Sequence, residues 1–332
     1  MQLKVRKDGS ESRSYVMVNI YQISLNAYNQ ALMIHPGDQP TKNLAFIAMI
    51  VAFDAILSLL SALLPLGAIF VMLIAPLGAA AVSLFCKKRY IGIYLVAAIG
   101  ICIAVTAWDI MTVLFYMIPA LITGSCYGLL WKLKAPVTVN IFALTILASV
   151  FFYLSILLIR GLLGVDMVEF LLALIKRSND GLSQAIFPLF VLGYSFAQVG
   201  LMHAFASYQL QRLSIEIVVS PRFDSWAPAI TVALAIASFV CGFFYAKAAY
   251  FLFGCALYWM LCSLVLFAPK IKPITIAALV FGLFGSVIIF AAAYKLMPGN
   301  SGLLLLLVPC VWVAGSASLN HVLVVHEKPK AE

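Results

Sequence analysis

Charge is scarce in this chain: Asp, Glu, Lys and Arg make up only 10% of its 332 residues, while 64% are apolar. A soluble domain is roughly a quarter charged and half apolar, so that class is excluded. Catalytic signatures are missing as well. There is no G-x-x-x-x-G-K-[ST], no H-E-x-x-H, no G-x-S-x-G and no G-x-G-x-x-G, hence no encoded phosphate loop, zinc-protease helix, nucleophile elbow or dinucleotide turn. No nucleophile with a base beside it takes their place, so the expectation is a non-enzymatic protein without a cofactor. The four histidines (His35, His203, His321, His326) and seven cysteines (Cys86, Cys102, Cys126, Cys241, Cys255, Cys262, Cys310) are scattered without ligand spacing. They predict no metal site, and the cysteines read as small packing residues.

What the chain has instead is apolar runs of membrane length. At about 20 residues per crossing, spans are expected near 44–62, 67–85, 91–108, 111–130, 137–159, 185–209, 228–246, 248–267, 274–293 and 302–321. The predicted fold is an all-α polytopic membrane helix bundle. The net charge of +9 does not point to nucleic acid, because the basic residues sit mostly in the gaps between runs, where they orient helices. With the N-terminus in the cytoplasm, only Arg160, Lys176, Arg177, Lys247 and Lys295 of the 21 basic residues fall outside. The expected topology is therefore N-in and C-in.

The expected organisation is a cytoplasmic segment over 1–43, a six-helix bundle over 44–212, a cytoplasmic linker over 213–227, a four-helix region over 228–321 and a cytoplasmic tail over 322–332. The first segment shows no secretory signal, and Met33 opens a short MIHPGDQPTKN lead that suits a natural start. Between the fifth and sixth spans, residues 162–183 open on a capping-box-like Asp166-x-x-Glu169. Asp166, Glu169, Ala173, Lys176 and Asp180 share one stripe there. This predicts an amphipathic helix on the outer surface.

The first run, NLAFIAMIVAFDAILSLLSALLPLG, carries Asp54 close to its middle. Ser58 and Ser61 follow at i+4 and i+7 and make a polar seam toward the outer end. At similar depth the sixth span offers Gln198 and Tyr194, and the fifth offers Ser149. A charged, unpaired carboxylate there is costly, so Asp54 is expected to face the bundle interior, protonated or hydrogen-bonded. An interhelical hydrogen bond and a ligand or proton role both satisfy that requirement. His203 shares a face with Ser207 and reads as an interhelical donor. Trp108, Asp109, Tyr116, Tyr153 and Arg160 cluster toward the outer ends. They are candidate pocket residues, although aromatic belts and solvated loop charges produce the same pattern.

Two small-residue faces stand out. Ala48, Ala52 and Ala55 form a stripe on the first span, pointing about 200° away from Asp54, and Gly124 and Gly128 form a GxxxG on the fourth. Such faces let helix backbones approach closely, inside one chain or between chains.

Six stretches occur in an order that resembles the YybS-like family of bacterial membrane proteins. They are TKN before the first helix, LLPLG after it, KKRY, GLLWKLK, GVDMVEFLLALIKRS and QRLSIEIVVSPRFDSWAP, together covering about residues 41–300. The first six helices of that family are in turn similar to the S components of energy-coupling-factor transporters. The resemblance implies an S-component-like bundle in the bacterial cytoplasmic (inner) membrane. It also implies that Ala48 and Ala52 match the A-x-x-x-A pattern by which S components dock a transmembrane T component driven by ATPase subunits. The four added C-terminal helices depart from that plan, and no vitamin site pattern carries over.

The functional expectation is a membrane component that binds or transports a small solute without its own ATPase. Asp54, Ser58, Ser61, Trp108, Asp109, Tyr153, Tyr194 and Gln198 are its candidate ligand residues, and Ala48, Ala52 and Ala55 its docking face. The alternative is a membrane scaffold or assembly factor with no transported ligand.

Overall fold

The computed structural model describes residues 39–64, 67–174, 180–212, 225–267, 271–293 and 302–326. The expected N-terminal segment up to residue 38, most of the linker and the end of the tail lie outside these. Among the described residues the chain is helical with no strand. Its helices are α1 (Pro40–Leu63), α2 (Gly67–Phe85), α3 (Lys88–Val105), α4 (Ile118–Lys132), α5 (Val137–Leu163), α6 (Met167–Leu174), α7 (Gly181–Arg212), α8 (Ala227–Gly242), α9 (Ala246–Ser263), α10 (Pro273–Ala293) and α11 (Leu307–His326). Among the described residues eight helical segments are long and apolar enough to cross a membrane, and the shorter apolar stretches Ile74–Phe85 and Ala227–Gly242 occupy the other two expected positions. The protein is an integral, multi-pass membrane protein.

Local chemistry explains the element ends. Pro40 and Pro228 sit in the first turns of α1 and α8, where a missing N–H is harmless. Before α4 the chain passes through a 3₁₀ turn over Ala107–Asp109 and a π-helical turn over Val113–Met117. The Asp109 side chain accepts hydrogen bonds from the Thr112 backbone N–H at 3.3 Å and its hydroxyl at 2.5 Å, which caps this irregular entry.

The expected surface helix over 162–183 is shorter than the sequence stripe implied. Helix α5 runs on through Leu163 until Gly164, whose φ of 69° ends it. Asp166 then caps α6 by accepting from the Val168 and Glu169 N–H groups. Asp180 belongs to the next element, accepting from Ser183 N–H at 2.7 Å at the start of α7. The stripe ended early because two of its acids are caps of different helices; Lys176 falls outside the described residues. Met167 and Leu172 are buried against Phe152, Ile156 and Phe187, so α6 is docked on the end of the bundle.

In lipid the hydrophobic effect does not drive helices together, so close contact and polar bonds must. A close backbone contact joins α2 and α4. A Cβ on Gly124 would stand 2.2 Å from the Pro76 carbonyl oxygen, and one on Gly128 would stand 2.5 Å from that of Ala80. The GxxxG is thus an internal seam.

Helix α1 lays Ile47, Val51, Asp54, Leu57, Ser58 and Ser61 on the bundle. Its alanine stripe points outward, with Ala48 and Ala52 exposed and Ala55 half-buried.

The C-terminal region packs on the first six spans through α9. The Tyr258 hydroxyl donates to the Thr138 carbonyl at 2.5 Å. The ring of Phe142 lies 5.3 Å from those of both Tyr258 and Trp259, and Phe196 lies 5.4 Å from Tyr258. Helix α10 is the most peripheral, with Phe281, Phe284 and Ile288 turned away from the protein. It is held through α11: the Trp312 indole N–H donates to the Ala278 carbonyl at 2.7 Å, and Asn320 Oδ1 accepts from the Lys272 N–H at 3.0 Å.

Candidate functional site

The structure keeps Asp54, Ser58 and Ser61 together, puts Tyr153 on a separate cavity and leaves Trp108, Asp109, Tyr194 and Gln198 outside both. The first of these places is the α1 seam. Asp54 is fully buried, as its position on the inner face requires, and its Oδ2 accepts a 2.6 Å hydrogen bond from the Tyr94 hydroxyl. This corrects the expected partners. Tyr94 of α3 supplies the bond, while Tyr194 donates to Met72 Sδ at 2.9 Å and Ser149 donates to the Thr145 carbonyl at 2.8 Å within its own helix. Gln198 is buried without reaching Asp54. Helical periodicity places a residue on a face but does not say which neighbour that face meets, and α1 packs on α2 and α3.

Farther along the seam, Ser58 Oγ lies 3.4 Å from Thr106 Oγ1, and Ser61 donates to the Ser58 carbonyl at 3.0 Å. Asp54 Oδ1 has no hydrogen-bond partner. Gly78 of α2 faces it, so that a Cβ there would stand 3.5 Å from this oxygen. The seam is a buried polar ladder between α1 and the α3 end.

The second place is a cavity of about 280 Å³ where α5 ends and α7 and α9 begin. Its polar wall is Tyr153, Arg160, Asp166, Gln184 and Lys247. The Tyr153 hydroxyl is buried and has no hydrogen-bond partner. Arg160 and Asp166 stand 4.0 Å apart with both side chains partly exposed, a separation at which an ion pair contributes little. Lys247 sits in the first turn of α9, a helix with no side-chain cap and no acidic residue in that turn. The positive end of the helix dipole and the ammonium therefore add at one spot. The cavity can hold a small anion, oriented by two cations and the Gln184 amide, with the Asp166 carboxylate on the same wall.

Tyr153 and Arg160 were foreseeable as pocket residues. Trp108 and Asp109 do not join them: Trp108 is 65% exposed, and Asp109 is occupied in capping the turn before α4. Tyr116 packs edge-on against Phe115 at 5.1 Å in the core. Gln184 and Lys247 escaped sequence reasoning. The signal for Lys247 was present, since it is one of five basic residues expected outside and stands in the very short gap between two apolar runs.

A third polar group lies in the interior. His203 Nδ1 is 2.9 Å from the Tyr127 hydroxyl and its Nε2 is 3.2 Å from Ser207 Oγ, with the Trp131 ring stacked 6.1 Å away. It ties α7 to α4, the interhelical role expected of this histidine. Among the described residues no three His, Cys, Asp or Glu side chains converge as metal ligands would. Compared with known proteins, the chain matches no family model, no curated protein and no solved structure.

Proposed function

We propose that this protein is a membrane-embedded binding component for a small acidic solute, carrying no ATPase of its own. The observation behind this reading is the convergence of Arg160 and Lys247, from the two parts of the chain, on one cavity that Tyr153 and Gln184 also line. With the N-in orientation favoured by the distribution of basic residues, the cavity opens on the outer side. The likeness to YybS-like proteins and S components agrees with uptake across a bacterial inner membrane. In that case a T component with ATPase subunits would dock on the outward face of Ala48 and Ala52.

The test is purification in mild detergent, followed by mass spectrometry of everything retained, for wild type and for the double variant Arg160→Gln, Lys247→Gln. An acidic small molecule held by the wild type and lost from the folded variant supports the reading. Protein partners that include no ATPase, with no small molecule in either sample, would favour the scaffold alternative.

A further inference from the structure

We infer that the natural ligand of this cavity is an amphiphile: an acidic head group bearing a single negative charge on an apolar chain. The inference rests on the solute-binding reading above and extends it to a ligand class. Beside the polar cavity lies a second one of about 250 Å³, lined mainly by apolar side chains, among them Leu171 and Leu172 of α6, Leu182, Ile186 and Phe190 of α7, and Leu303, with Ser183 its one polar residue. The buried Phe187 side chain lines both cavities, and its ring packs against Tyr153 at 6.2 Å. Helix α6 flanks both, contributing Val168 to one and Leu171 to the other.

Polarity therefore switches across the width of one aromatic ring, from Arg160, Lys247 and Gln184 to leucine, isoleucine and phenylalanine. A hydrophilic solute would use the first cavity and leave the second empty. A head group with a chain uses both, and their volumes together fall within the ~300–1,000 Å³ of ordinary small-molecule sites. The setting fits as well. Both cavities lie at helix ends, the depth at which head groups give way to acyl chains in a bilayer. Arg160 and Lys247 against Asp166 leave one net positive charge, which a fatty-acid carboxylate or a phosphodiester head balances.

The experiment uses the full chain in phosphatidylcholine nanodiscs and reads retained ligand by native mass spectrometry. The probes are oleate, phosphatidylglycerol, uncharged oleyl alcohol and short-chain butyrate. The variants are Arg160→Gln with Lys247→Gln to remove the head site, and Leu182→Trp to fill the apolar cavity. Leu171→Trp replaces the latter if it fails to give monodisperse protein.

Oleate or phosphatidylglycerol is expected to bind at least about tenfold better than oleyl alcohol and butyrate, because both the charge and the buried methylenes contribute. Preference for oleate assigns a carboxylate head, and preference for phosphatidylglycerol a phosphodiester. The double variant should lose the preference for charge. The tryptophan variant should lose long-chain binding about tenfold while leaving butyrate unchanged. If butyrate binds as well as oleate and the tryptophan variant changes nothing, the amphiphile is overturned while small-acid binding stands. If no probe binds in a charge-dependent way, both readings fall.

Discussion

Helices α4 and α1 each carry a stripe of small residues, and the fold uses them in opposite ways. Gly124 and Gly128 bring the α4 backbone so close to Pro76 and Ala80 of α2 that no Cβ fits. Ala48 and Ala52 lie on the exposed side of α1, opposite the face that carries Asp54. The two stripes have the same spacing. The difference is that a glycine pair permits backbone contact from which alanine is already excluded, whereas an alanine stripe is equally at home against lipid. Spacing alone therefore does not distinguish an internal seam from a free face.

The comparison can be broken most forcefully at α4. Leucine at Gly124 or Gly128 must displace backbone atoms, at a cost above the ~1–3 kcal/mol of ordinary overpacking. Neither variant should yield monodisperse protein by size-exclusion chromatography, and a stable Gly124→Leu protein would refute the seam. On the inner face of α1, Asp54→Leu strands the Tyr94 hydroxyl in the interior. Thermal unfolding in detergent should show about 1–3 kcal/mol lost. Asp54→Asn keeps an acceptor for Tyr94 and should stay within about 0.5 kcal/mol of wild type; a large loss would mean that the charge or proton on Asp54 matters beyond the hydrogen bond.

Helix α10 offers an intermediate case. A Cβ on Gly282 would collide with the Trp312 indole, so Gly282→Ala should break the indole's bond to Ala278. The expected cost is about 1 kcal/mol, read as a red shift and quenching of tryptophan emission before any change in melting temperature. The smallest effect is expected at the alanine stripe. Ala48→Leu with Ala52→Leu should alter intrinsic stability by no more than about 0.5 kcal/mol. Any loss should appear only in the co-purification of a partner, and a folding defect instead would show that this face is packed after all.

Much of the fold was legible in the sequence because membrane spans are written in composition. All ten expected spans correspond to helices, with most ends within about four residues; the α-helix of the fourth span starts only at Ile118, after the irregular turns, and α11 runs Leu307–His326, later than the expected 302–321. The inward face of Asp54 was also legible, since lipid tolerates no unpaired carboxylate. Its partner was not. Tyr94 lies in a different span, and pairing between spans is set by three-dimensional packing that no one-dimensional period records. The cavity was half legible for the same reason: Tyr153 and Arg160 belong to one helix end, but Lys247 reaches it from a helix nearly ninety positions later.

That separation along the chain has a consequence for biogenesis. The residues of α1–α7 are synthesised and inserted first, with Tyr153, Arg160 and Gln184 among them, but Lys247 and the aromatic pair Tyr258 and Trp259 that covers Phe142 follow later. A nascent chain halted after α7 would present an uncovered Phe142 and half a cavity to the bilayer. The polar cavity is therefore completed only when α9 has been delivered, late in synthesis, when most of the membrane-embedded chain is already in place.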